Sequence, residues 1–201
     1  MYYFTRWNER ISFRRRSRCI VARRYTRERV ALVKPFVLQI TGFHNSGKTT
    51  FLQKLLLELK EKGFHTVTIK HHGHGGKPDI VEDTDSARHV SSGARASLVE
   101  GGGRMILQAE PFEWSLSEKL EFMSWFHPDF IIIEGHKHED YPKVVFIRNQ
   151  EDVPLLRQLT NIQLVLYEDE PLEDCQHQSF HRNECKAMEW LVKYLTAKQD
   201  T

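Results

Sequence analysis

Cysteine is scarce in this sequence, where Cys19, Cys175 and Cys185 are the only three among 201 residues. The number is odd and no Cys-x-x-Cys pair occurs, which argues against a disulfide framework and against a cysteine zinc site. Long apolar runs are also missing, since no segment approaches the roughly 20 residues that a membrane-spanning helix needs. These shortages predict a protein of the reducing cytoplasm that has no membrane as a partner.

Charge is unevenly distributed along the chain, although the formal net charge is only +2. Residues 1–34 contain ten arginines and Lys34, but only the two acids Glu9 and Glu28. Of the 29 basic and 27 acidic residues in the whole chain, 18 and 25 therefore remain in residues 35–201, where the net charge is −7. We do not expect so acidic a core domain to bind nucleic acid.

One stretch, Gly42-Phe43-His44-Asn45-Ser46-Gly47-Lys48-Thr49, matches the phosphate-binding pattern G-x-x-x-x-G-K-[ST]. In this P-loop the glycines bring backbone N–H groups against phosphate oxygens, the lysine reaches the β/γ-phosphates and the hydroxyl ligates Mg²⁺. An apolar run that predicts a strand precedes it, and a run of helical composition follows. We therefore predict a nucleotide-binding set of Gly42, His44, Asn45, Ser46, Gly47, Lys48, Thr49 and Thr50.

Strands and helices alternate through the rest of the chain. Strands are predicted at 36–40, 65–70, 130–134, 143–147 and 162–166, with shorter strand-like runs at 96–99 and 105–108. Helices are predicted at 51–60, 87–92, 115–126 and 183–195. This alternation predicts an α/β fold of the P-loop NTPase type, with three α/β/α layers around one mostly parallel sheet.

The basic leader, residues 1–34, precedes the first predicted strand and shows no apolar periodicity. Arginine clusters of this kind occur in arms that bind nucleic acid or anionic lipid, and in organellar transit peptides. Translation could also begin near Val30 or Val33, because the first strand of a P-loop domain normally lies close to the N terminus. We expect a leader that is disordered or a start-site artefact, and a P-loop domain over 35–201.

Glu134 ends the continuous apolar run 130–133, which is typical of a buried parallel strand. In P-loop enzymes an acid at the tip of such a strand lies beside Mg²⁺ and its water shell. The alternative is a carboxylate that only caps the strand.

Three histidines, His71, His72 and His74, follow the second predicted strand in a glycine-rich segment. Their spacing matches no zinc signature. Contact with a phosphate or another oxyanion, binding of zinc or nickel, and a solvated loop all remain open.

Taken together, these segments resemble the MobB family of molybdopterin-guanine dinucleotide biosynthesis adapter proteins. The likeness runs from about residue 36 to about residue 147. Its most specific elements are the Lys-His-His-Gly-His and Glu-Gly-x-Lys sequences, in this order after the P-loop. The matching segments are 42–50, 69–76, Asp85-Ser86, Arg88-His89, Gly93-Ala94, 132–135 with Lys137, and 142–145.

The resemblance implies a GTP-binding dimer with Mg²⁺ and a weak GTPase activity. Such a protein would assist a MobA-like nucleotidyltransferase in converting the molybdopterin cofactor to its guanine dinucleotide form. By the same resemblance Asp85 and Glu134 would be catalytic, and with Thr49 they would lie near the metal. An anionic pterin phosphate would approach a face formed by Lys70, His71, His72 and Lys137.

Guanine preference rests on the resemblance alone, because the chain has no Asn-Lys-x-Asp tetrad. Two other functions stay open from the residues. The histidine segment in a P-loop frame is compatible with a nucleotide-dependent nickel or zinc chaperone. The P-loop by itself is compatible with a small-molecule kinase, although Arg88, Arg95 and Arg104 form no recognisable lid.

Overall fold

The computed structural model describes residues 34–71, 84–110, 113–172 and 175–199. The predictions for residues 1–33, His72 and His74 lie outside these ranges. Within them the strands are β1 (Phe36–Gly42), β2 (Thr66–Lys70), β3 (Ala96–Gly101), β4 (Arg104–Ala109), β5 (Phe130–Glu134), β6 (Lys143–Ile147), β7 (Ile162–Tyr167) and β8 (Ser179–His181). The helices are α1 (Lys48–Glu61), α2 (Asp85–Ser91), α3 (Leu116–Ser124) and α4 (Cys185–Gln199), with a 3₁₀ helix at Gln150–Arg157.

Six strands form one sheet in the order β2-β5-β1-β6-β7-β8, and every neighbouring pair is parallel. The carboxyl ends of parallel strands meet at one edge of the sheet, which is where open α/β folds bind ligands. The carboxyl ends of β1, β2, β5 and β6 therefore lie along one edge. Ile40 of β1 and Lys70 of β2 both pair with Glu134 of β5.

Helices cover both faces of this sheet, as the alternation along β5 shows. Phe130 and Ile132 belong to a core cluster that includes residues of α1 and α4. Ile131 and Ile133 pack in another cluster with Leu116 of α3. Strands covered on both faces are apolar at every position, which explains the continuous run in the sequence. The predicted three-layer fold with a mostly parallel sheet is confirmed.

Strands β3 and β4 differ from the predicted single sheet, because they pair with each other in a separate antiparallel hairpin. Only Gly102 and Gly103 lie between them. So short a connection joins antiparallel strands, whereas a parallel pair needs a crossover of a dozen or more residues. Five large apolar side chains of the hairpin are exposed, namely Leu98, Val99, Met105, Ile106 and Leu107.

Candidate nucleotide-binding site

The P-loop joins β1 to α1 at the carboxyl edge of the main sheet. Gly42 has a φ of +147°, and a Cβ there would lie 2.7 Å from the carbonyl oxygen of Phe146 in the neighbouring strand β6. Only glycine therefore fits at the first fixed position of the motif. Gly47 is the N-cap of α1, so the positive end of the helix dipole meets the loop.

Lys48 is held inside the curve of the P-loop. Its Nζ donates hydrogen bonds to the carbonyl oxygen of Phe43 and to Ser46 Oγ, the latter at 3.1 Å. Burial lowers the pKa of Lys48, and the nearby carboxylate of Glu134 acts in the opposite direction. In P-loops the lysine at this position of the motif contacts the β/γ-phosphates.

Glu134 brings two other predicted residues together at the end of β5. Its Oε1 accepts a hydrogen bond from Thr49 Oγ1 at 3.0 Å and lies 3.6 Å from Lys70 Nζ. The carboxylate is mostly buried. The hydroxyl and the carboxylate are hard oxygen donors of the kind that Mg²⁺ prefers.

An open cleft of about 1020 Å³ extends over the P-loop. It is lined by residues 41–50, Lys70, His71 and residues 134–139. All the predicted nucleotide-binding residues line this cleft, together with Glu134 and Lys137. Asp85 is not among the lining residues, because it lies at the exposed start of α2, where its carboxylate is 3.6 Å from Arg88. Its role near a metal stays a prediction, and His72 lies outside the described residues.

His136 is a cleft residue that the sequence analysis did not identify. Its ring lies 4.5 Å from that of His71, measured between centroids. The two rings approach because Gly135 has a φ of +101° and no side chain, and a Cβ there would lie 3.0 Å from His71 Cβ. Burial lowers the pKa of His136, and the charges of His71 and Lys119 act in the same direction.

Gln39 supports this corner of the cleft from within β1. It is fully buried, and its Nε2 donates a hydrogen bond of 2.6 Å to the carbonyl oxygen of His136. In the sequence, Gln39 could have been recognised as a polar residue in the middle of an otherwise apolar predicted strand.

Two arginines near the P-loop were also missed. Arg148, which directly follows β6, has Nη1 3.4 Å from the carbonyl oxygen of His44. Arg182, just after β8, has Nη1 3.4 Å from the carbonyl oxygen of Ser46, and its guanidinium pairs with Glu168. For Arg148 the available signal was its position directly after the predicted strand 143–147, whereas Arg182 follows a strand that the sequence did not predict.

Two negative findings concern the described part of the chain only. Over residues 34–71, 84–110, 113–172 and 175–199, no group of three or more His, Cys, Asp or Glu residues is arranged to hold a metal ion. Over the same ranges, no helix has the length and apolar character needed to cross a membrane.

The segment that contains this cleft matches a known protein family. A family model, described as MobB, molybdopterin guanine dinucleotide synthesis protein B, matches residues 37–168. The match covers more than half of the chain and contains the P-loop, Lys70, Glu134 and Lys137. The chain belongs to the MobB family. The resemblance predicted from the sequence is therefore confirmed.

Relatives of the MobB family match most of the chain. The probable molybdopterin-guanine dinucleotide biosynthesis adapter protein of Bacillus subtilis is 36% identical over 171 residues, which are 83% of this chain and 97% of the relative. The crystal structure of Bacillus subtilis MobB superposes with a TM-score of 0.69 at 32% identity, covering 78% of this chain and 96% of that one. A MobB homologue from Bacillus stearothermophilus gives 0.66 at 28% identity, covering 80% and 98%.

Proposed function

We propose that this MobB-family protein is a GTP-binding adapter in the synthesis of molybdopterin guanine dinucleotide. The observation that carries the proposal is the cleft in which the P-loop, Lys48 and the Thr49–Glu134 pair come together. Backbone N–H groups, one ammonium group and paired oxygen donors suit a nucleoside triphosphate with Mg²⁺. Guanine is proposed because the relatives are named for molybdopterin-guanine dinucleotide biosynthesis.

Thr49 and Glu134 are the residues that would hold Mg²⁺. Their oxygens are 3.0 Å apart and of the right chemical kind, so the donor set fits the ion. When bound, Mg²⁺ neutralises charge on the β- and γ-phosphate oxygens. Glu134 would also orient the water that attacks GTP in a weak GTPase reaction.

The partners of this adapter are proposed to be a MobA-like nucleotidyltransferase and the molybdopterin cofactor. Lys70, His71 and Lys137 line the same cleft as the P-loop, and their cationic or N–H groups suit the phosphate of a pterin. A co-purification of the full chain with a MobA-like protein would test this. Failure of the two proteins to associate, with or without GTP, would contradict the partner.

A homodimer in the cytoplasm is the assembly that we propose. The hairpin β3–β4 supports it, because an exposed cluster of large apolar side chains is typical of a surface that another subunit covers. The scarcity of cysteine supports a reducing compartment.

A calorimetric titration of GTP and of ATP, each with Mg²⁺, into the full chain tests the nucleotide proposal. We expect GTP to bind with micromolar affinity and ATP to bind at least about tenfold more weakly. Equal affinity for both nucleotides would contradict the guanine preference. Absence of binding by either would contradict the nucleotide site itself.

A further inference from the structure

Two cations lie against the ring of Phe43, the first variable residue of the P-loop. Lys137 Nζ is 5.5 Å and Arg148 Cζ is 5.2 Å from the ring centroid, within the range of cation–π interactions. The side chain of Phe43 is nevertheless 39% exposed, so the group opens to solvent. Neither Phe43 nor Arg148 has a part in the nucleotide contacts proposed above.

Arg148 is held in a fixed orientation. Its Nε and Nη2 donate hydrogen bonds of 2.7 and 2.8 Å to the two carboxylate oxygens of Asp152, which is 2% exposed. Its Nη1 donates to the carbonyl oxygen of His44. A guanidinium has five N–H bonds, so these three hydrogen bonds leave two for a ligand. A preorganised arginine loses little conformational entropy when it binds an oxyanion.

The position of this group relative to the nucleotide follows from Lys48. The lysine of a P-loop contacts the β/γ-phosphates, and here its Nζ also donates to the carbonyl oxygen of Phe43. Phe43 therefore marks the end of the loop at which the terminal phosphate of a nucleotide lies. Lys137 lines the same cleft.

We propose that Phe43, Lys137 and Arg148 form a second oxyanion subsite beside the terminal-phosphate end of the P-loop, and that it binds a phosphate group. The inference rests on the proposed function, because it requires a nucleotide in the P-loop. Guanidinium and ammonium groups are the side chains that bind phosphate oxygens. Here one of each lies within 5.5 Å of the centroid of the same exposed ring. The phosphate has two possible sources: the terminal phosphate of the nucleotide, or a phosphate monoester on a second ligand.

Lys137→Met tests the subsite, because it removes one cation and retains most of the side-chain volume. The matched control is Lys193→Met, at an exposed position on α4. GTP and GDP are titrated with Mg²⁺ into the full chain of each variant. If the terminal phosphate occupies the subsite, Lys137→Met weakens the binding of GTP about tenfold and leaves the binding of GDP unchanged. The control variant should bind both nucleotides as the wild type does.

A titration of inorganic phosphate tests whether a second ligand supplies the phosphate. Inorganic phosphate is titrated into the chain saturated with a non-hydrolysable GTP analogue, so that the terminal-phosphate position is already filled. If a second ligand supplies the phosphate, the wild-type complex binds inorganic phosphate, and Lys137→Met weakens that binding about tenfold. Either pattern supports the subsite. Unchanged GTP affinity together with phosphate binding that is absent or unaffected by Lys137→Met overturns it.

Arg148 needs a gentler substitution, since loss of its side chain would leave the buried Asp152 carboxylate without a charged partner and destabilise the fold. Arg148→Lys keeps the charge but cannot make the forked contact. Circular dichroism checks its fold, and the subsite predicts weaker binding in the same titration that Lys137→Met affects. A wild-type chain that fails to bind GDP contradicts the nucleotide proposal. A wild-type chain that binds GDP, with variants that change nothing, contradicts the subsite alone.

Discussion

The main sheet and the β3–β4 hairpin present the same kinds of side chain to different surroundings. Ile132 in β5 is fully buried in the cluster that includes residues of α1 and α4, whereas Ile106 in β4 is 61% exposed. Both strands are apolar, so composition does not distinguish them. The comparison teaches that the apolar residues of the sheet stabilise the fold of the chain, while the exposed apolar residues of the hairpin contribute little to it and support the proposed contact with another subunit.

The same substitution at both isoleucines gives the largest expected effect. Ile132→Ala should lower the free energy of unfolding by about 3–5 kcal/mol, because it removes buried methyl groups and leaves a cavity. Ile106→Ala should change the unfolding of the monomer by less than about 0.5 kcal/mol. Urea unfolding at several protein concentrations measures both. In a homodimer the Ile106→Ala effect should grow with concentration, and an effect equal to that of Ile132→Ala would refute the contrast.

Lys48→Ala separates binding at the sheet edge from assembly through the hairpin. Nucleotide affinity should fall by about 100-fold or more, because the variant lacks the ammonium group that is proposed to contact the β/γ-phosphates. Calorimetry measures the loss, and size-exclusion chromatography should show an unchanged oligomeric state. Lys54→Ala, at an exposed position of the same helix, is the control. An unfolded circular-dichroism spectrum for Lys48→Ala would show that the lysine supports the fold.

Glu134→Gln should affect chemistry more than binding. The amide can still accept the hydrogen bond from Thr49, but it has no charge with which to orient water or hold Mg²⁺. We expect GTP hydrolysis to slow by about tenfold or more, with a change in GTP affinity of less than about threefold. Glu139→Gln, at another carboxylate that lines the cleft, is the control. Equal losses of hydrolysis and binding would assign Glu134 to binding alone.

The smallest effect concerns pH and His136, a titratable group at the sheet edge. Burial lowers its pKa, reinforced by the charges of His71 and Lys119 and opposed by Glu139. As pH falls below about 6.5, the unfolded chain binds this proton more readily than the folded chain does, so the free energy of unfolding decreases.

His136→Asn should flatten that dependence, and asparagine tolerates the positive φ of 50° at this position. Urea unfolding between about pH 7.5 and 5.5, a range around the ordinary histidine pKa, measures how the free energy of unfolding depends on pH. A variant whose stability falls as steeply as that of the wild type would show that other groups cause the dependence.

Much of the sheet was predictable because buried parallel strands are continuous in the sequence. The P-loop was predictable because its residues are contiguous and each has a fixed chemical role. Strand β8 was missed because a strand of three residues is too short to show a periodic pattern. The 3₁₀ helix was missed because it contains Pro154, and proline argues against a helix in sequence-based prediction. His136 in the cleft and Arg148 beside the P-loop were missed because pairing of β1 with β5 and β6 brings them there, although these strands are about a hundred residues apart in the chain.

Glu134 pairs with both Ile40 and Lys70, so the position of its carboxylate depends on the number of residues in β5. Successive side chains of a strand point to opposite faces, so deleting one residue from β5 would turn its apolar side chains away from their present clusters. The same deletion would withdraw the carboxylate from Thr49. Variation in chain length across the MobB family should therefore be excluded from this strand and tolerated in the connections around it.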